Sequence, residues 1–110
     1  MADTNFDAVV ATDGFGTTVA GIKLTLVGQA SETWDPGNHA TATEEVGELT
    51  VSGATLGDYV IASFSVDLAD QSLTAAVTAA DTVTYQMFNL TGGDLNIGSG
   101  TIKVCVLRVA

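Results

Sequence analysis

Leu73-Thr74-Ala75-Ala76-Val77-Thr78-Ala79, a break at Ala80-Asp81, then Thr82-Val83-Thr84-Tyr85-Gln86-Met87-Phe88-Asn89-Leu90 is the stretch that decides the fold. In its first half Leu73, Ala75, Val77 and Ala79 alternate with Thr74, Ala76 and Thr78. In its second half Val83, Tyr85 and Met87 alternate with Thr82, Thr84 and Gln86. A period of two places alternate side chains on opposite faces of a strand, one for a core and one for solvent. The many β-branched residues are stiff at χ1 and fit a pleated surface.

The flanking sequence repeats the pattern. Ile22, Leu24 and Leu26 alternate with Lys23, Thr25 and Val27, which predicts a half-buried strand. A polar stretch, Gly28 to Thr43, reads as a loop containing Trp34-Asp35-Pro36-Gly37-Asn38, where proline presets φ and glycine accepts a positive φ. A strand is predicted over Glu45–Ser52, with Leu49 and Val51 inward. Another spans Tyr59–Val66, apolar on both faces (Val60, Ala62 and Phe64 against Tyr59 and Ile61), and therefore central or at an interface. The chain closes on a strand over Thr101–Val109. Short strands separated by turn signals, with no sustained helical period, predict an all-β single domain over residues 21–110, an antiparallel β-sandwich or jelly-roll-like fold. Residues 1–20 follow neither period and read as an extended N-terminal arm.

At 110 residues the chain is the size of one domain. It is long enough to bury roughly two-thirds of its unfolded surface without a disulfide or metal. Thirteen acids oppose three bases, Lys23, Lys103 and Arg108, for a net charge of −10. Such a surface repels phosphate backbones and anionic lipid, so neither nucleic acid nor membrane is an expected partner. It also favours solubility at high local concentration. The N-terminus shows no secretory pattern, and no apolar stretch approaches the ~20 residues of a membrane helix. Synthesis in a cytoplasm is the expectation.

No constellation of residues assembles a catalytic or metal site. His39 is the only histidine and lies in a Gly/Asn/Thr-rich loop, where a solvated ring is expected; a pair with the lone Cys105 lacks an orienting partner. Cys105 sits in an apolar strand-like run and is expected to be a buried, inert thiol. Glu44, Glu45 and Glu48 form the tightest carboxylate cluster, but in an extended segment Glu44 and Glu45 point to opposite faces. Charges that discourage edge-to-edge pairing account for them better than a calcium site. Gly92-Gly93-Asp94-Leu95-Asn96-Ile97-Gly98 is one degenerate, unstacked copy of a calcium-binding nonapeptide, so a tight glycine loop is expected. Asn89-Leu90-Thr91 matches a glycosylation acceptor, and Asp67 with Asp70 is a pair that an acidic chain produces by chance. No enzyme, cofactor or metal is expected. Trp34 either caps the core or, as a loop anchor, offers an aromatic face to a partner or a sugar ring.

One resemblance bears on function. Trp34-Asp35-Pro36-Gly37-Asn38, Gly53-Ala54-Thr55-Leu56-Gly57-Asp58 and Ala62-Ser63-Phe64-Ser65-Val66-Asp67 belong to it. So do the run Leu73 to Thr84, Asn89-Leu90-Thr91-Gly92-Gly93, and Gly100-Thr101-Ile102-Lys103-Val104. Together these segments, over about residues 30–109, resemble small proteins encoded among the head genes of tailed bacteriophages and prophages. Some similar small β-proteins are head decoration, or cement, proteins that bind the capsid exterior, commonly as trimers. The resemblance implies a structural virion protein on the outside of a phage head, with a homotrimer and the major capsid protein as partners. In that reading Tyr59, Ile61 and Phe64 form the subunit interface, and Phe6, Val9, Val10 and Phe15 of the arm attach to the capsid. The alternative is a carbohydrate- or receptor-binding β-module of a tail fibre or spike, with Trp34 and Tyr59 exposed in one groove.

Overall fold

The structure, a computed structural model, describes residues 17–19 and 22–109, with side chains from Lys23 to Val109. Its strands are β1 (Thr17–Val19), β2 (Ile22–Trp34), β3 (Thr43–Thr50), β4 (Tyr59–Phe64), β5 (Ser72–Ala79), β6 (Thr82–Asn89) and β7 (Gly100–Val109). There is no helix among the described residues. The strands form two antiparallel sheets, one in the order β1-β2-β7-β4 and the other β3-β6-β5. Residues 17–19, part of the expected arm, thus pair with β2 as a short strand.

The stretch 73–90 forms the β5–β6 pair. Leu73 stands opposite Met87, Ala75 opposite Tyr85 and Val77 opposite Val83, and these six face inward. Met87 and Val83 are fully buried, and Tyr85 is 1% exposed. Each large apolar side chain removed from water contributes roughly 1.5–3 kcal/mol. Asp81 turns the chain with a φ of 62°, which an aspartate tolerates better than a bulky residue. It also anchors the Val51–Ala54 turn: its carboxylate accepts from Gly53 N at 2.8 Å, its carbonyl from Val51 N, and its amide donates to Ala54 O.

From the first sheet, β7 sends Ile102, Val104 and Val106 into the same core, and β4 adds Val60, Ala62 and Phe64. The predicted strands at 45–52, 59–66, 73–79, 82–90 and 101–109 all form, with small shifts of their ends.

The reading of β2 needs correction. Gly28 to Trp34 is strand, not loop, paired with β7 from Gly28–Val106 to Trp34–Gly100. The register shifts between Leu26 and Gly28, a β-bulge that leaves Val27 unpaired. One extra residue exchanges the faces on either side of it. Hence Leu26, which strict alternation places with the buried set, is 45% exposed, whereas Val27 packs against the core. Beyond the bulge the polar Gln29, Ser31 and Thr33 are exposed, while Ala30 and Trp34 pack inward.

Tyr85 requires a gap opposite it. Its register partner on β3 is Gly47, and a Cβ there would clash with the Tyr85 hydroxyl and the ring carbons beside it. Gly47→Ala is therefore expected to cost about 1–3 kcal/mol by overpacking, measured by thermal or urea unfolding. Gly93→Ala, where nothing lies within 4 Å of the added atom, should be close to neutral.

Candidate functional site

Trp34, at the end of β2, points into the core. It meets Tyr85 edge-on at 4.8 Å between ring centroids and Phe64 at 5.7 Å, the T-shaped geometry that aromatic quadrupoles favour. Tyr85 O–H donates to Glu32 Oε2 at 2.6 Å across the sheets. Burial, reinforced by Glu32, pushes the Tyr85 phenol well above the ordinary tyrosine range. Trp34 thus caps the core, and Phe64 lies beside it rather than with Tyr59 and Ile61. Tyr59 is on the outward face of β4, opposite to Phe64 in alternation, so Trp34 and Tyr59 do not line one groove.

His39 is not a solvated loop residue: it is 1% exposed. Its backbone forms a β-bridge with Leu95, donating to Leu95 O at 2.6 Å and accepting from Leu95 N at 3.0 Å. Nε2 donates to Thr43 O at 2.8 Å, and Nδ1 lies 2.5 Å from Oε1 of the buried Gln71. Gln71 Nε2 in turn donates to Leu68 O. The fully buried Asn89 donates through its amide to His39 O and Gly93 O, and its Oδ1 accepts from Thr91 N–H and O–H. These side chains weld the 35–43, 68–71 and 89–95 segments together. No buried side-chain nitrogen or oxygen among the described residues is left without a partner. The glycine-rich loop 92–98 is tied to this network, with Asp94 accepting from Thr41 N. Asn89, the glycosylation-acceptor match, is 0% exposed and its amide is fully engaged.

The other candidates are also accounted for. His39 and Cys105 do not meet: Cys105 is half-buried in mid-β7, between its register partners Gln29 and Ile61. Glu44 and Glu48 project outward from β3, an edge strand, while Glu45 lies on the other face. Among the described residues no group of three His, Cys, Asp or Glu side chains converges on a metal position. Asp67 Oδ1 accepts from Ala69 N in a turn. Asp35 Oδ1 accepts from Gly37 N, whose φ is 71°, as the Asp-Pro-Gly sequence predicts. Phe6, Val9, Val10 and Phe15 lie outside the described residues.

Arg108 holds Asp58 in a two-pronged ion pair, Nε to Oδ1 at 2.8 Å and Nη2 to Oδ2 at 2.7 Å, and also donates to Gly53 O and Thr55 Oγ1. Such forked geometry fixes orientation as well as charge. The Arg108 hydrogen bond is the first cause that holds the Asp58 carboxyl below its ordinary value.

What remains for recognition is the outward face of the β2-β7-β4 sheet. Leu26 and Tyr59 flank Leu107 in register and leave it only 5% exposed, Ile61 flanks Cys105, and Val109 stands beside Leu24. Tyr59 is 57% and Ile61 60% exposed. Sequence reading found Tyr59 and Ile61 by the two-sided character of β4; it missed Leu26 and Leu107, which only the bulge and the pairing bring beside them. Compared with protein-family models, curated proteins and solved structures, the chain matches none. Among the described residues no helix is long and apolar enough to cross a membrane.

Two measurements check this description. Removing the His39 ring takes its hydrogen bond from Thr43 O, its contact from Gln71, and leaves a cavity among buried polar groups, so His39→Ala is expected to lower stability by about 2–4 kcal/mol, read by chemical unfolding. Because the folded-state pKa of Tyr85 is raised, the stability linked to its neutral phenol is complete below about pH 10 and is lost as pH rises beyond it. Unfolding midpoints of the native protein should therefore fall steeply in that alkaline range, and those of Tyr85→Phe less so.

Proposed function

We propose that this protein is a head decoration protein of a tailed bacteriophage, binding the outside of the capsid as a trimer and stabilising the shell. The observation that carries this reading is the division of its exterior. Of the two outward sheet faces, that of β3-β6-β5 displays Glu44 and Glu48, whereas that of β2-β7-β4 carries no carboxylate and holds the exposed apolar side chains described above. A rigid acidic body with one apolar face suits a component displayed in many copies: the charge keeps it soluble, and the face supplies cohesion. Phe6, Val9, Val10 and Phe15, in the segment that precedes β1, are the proposed contacts with the major capsid protein, strengthened by avidity when three copies act together.

The strand order supports reading the fold as a shortened jelly-roll sandwich. The chain nests, β2 pairing with β7 and β3 with β6, while β4 and β5 add to the far sides of β7 and β6. A carbohydrate- or receptor-binding module is the alternative, but its aromatic groove is not formed, since Trp34 is turned inward and Tyr59 outward.

Quantitative mass spectrometry of particles purified from the phage or prophage that carries the gene tests the proposal. The expected result is a copy number comparable with that of the major capsid protein. Absence from the particles, or presence in only a handful of copies as for a tail spike, would overturn it.

A further inference from the structure

Edge strands in soluble proteins are usually guarded against pairing by charges, proline or bulges. The edges differ in how they are guarded: β5, uncharged like β4, has its register against β6 broken between Val77 and Ala79. β3, an edge of its sheet, presents Glu44 and Glu48 outward. β4, an edge of the other sheet among the described residues, reads Tyr-Val-Ile-Ala-Ser-Phe, with no charge, no proline and an unbroken register against β7. Its outward side chains are Tyr59, Ile61 and Ser63; Tyr59 continues across the sheet over the buried Leu107 to the exposed Leu26, while Ile61 lies beside Cys105. The result is an apolar strip running from an unguarded edge onto a sheet face. Several half-exposed large side chains of this kind make a patch of a few hundred Å², the size at which an exposed apolar surface marks a contact.

Charge selects the occupant. Two chains of net charge −10 repel one another wherever carboxylates oppose. The outward face of β2-β7-β4 has none, and its one charged side chain is Lys103. Copies of this chain can therefore close on one another here without juxtaposing acids, whereas the face with Glu44 and Glu48 opposes such a contact. We infer that the β4 edge and the adjoining strip of Tyr59, Ile61 and Leu26, packed around the buried Leu107, are the surface through which copies of this chain associate. The inference rests on the oligomer of the proposed function. It assigns that oligomer a surface, and it leaves Phe64 out, because Phe64 belongs to the core with Trp34.

Light scattering on the full chain, coupled to size-exclusion chromatography, tests it. The native protein is expected at the mass of a trimer. Ile61→Glu, an exposed position, should reduce the mass to a third of that with unchanged circular dichroism, whereas Val46→Glu, exposed on the other sheet, should leave the trimer intact. Cys105, mid-strand beside Ile61, provides a readout that needs no variant. Its alkylation by a small maleimide should slow several-fold as the native protein is raised from dilute to concentrated solution. A native protein that stays monomeric, an Ile61→Glu variant that stays trimeric, or alkylation independent of concentration would each overturn the assignment. A chain that is monomeric in solution yet abundant on heads would overturn the interface and leave the decoration role. One that associates through this strip yet is missing from particles would do the reverse.

Discussion

The fold depends on Tyr85 bridging the two sheets. Its ring lies on β6 beneath Gly47, meets Trp34 of β2 edge-on, and its hydroxyl donates to Glu32, also of β2. A buried tyrosine must satisfy its O–H or forfeit a hydrogen bond. Glu32, at the rim of the core, meets that need without itself being buried. This one side chain therefore sets three requirements elsewhere: a glycine at 47, an inward Trp34, and a β2 long enough to carry residues 32 and 34 over the core. The bulge at Val27 serves the last of these, since it brings Ala30, Glu32 and Trp34 to the inner face.

A second constraint operates at the end of the domain where the long connections meet. Three segments without regular structure must run past the sheets, and their backbone polar groups need partners. His39, Gln71 and Asn89 supply them from buried positions. The single histidine, the apparent glycosylation acceptor and the glycine-rich loop thus belong to one load-sharing network, although each superficially suggests a different chemistry. The Arg108–Asp58 pair performs a similar task between the end of β7 and the 53–58 loop.

Function, in the reading proposed, resides in the distribution of charge and apolar area over the exterior. Acids occupy loops, the β3 edge and, at Glu32, the rim of the core; the outward face of the opposite sheet carries apolar groups and a single lysine. A binding face of this type requires no convergent polar groups, only a surface that loses less on contact than any other part of the molecule.

The alternation in residues 73–90 and in the segments 45–52, 59–66 and 101–109, together with the turn residues at 35–37 and 80–81, determined the all-β class and placed five of the strands within a few residues. It also determined that Val83, Tyr85 and Met87 are buried, because a period of two leaves no other face for them. The two-sided composition of β4 marked Tyr59 and Ile61 as outward. Tertiary structure decided the rest. Gly28 to Trp34 reads as polar loop because its inner face is built from Gly, Ala and a rim glutamate; only pairing with β7 makes it a strand. His39 reads as solvated because its partners, Gln71 and Asn89, lie 32 and 50 residues away. Leu26 and Leu107 join the outer strip because a bulge reverses the face on one strand and register aligns it with another. Alternation is a local property and is written along the chain; register, bulges and buried polar partners depend on which strands meet, and that is settled only when the core closes.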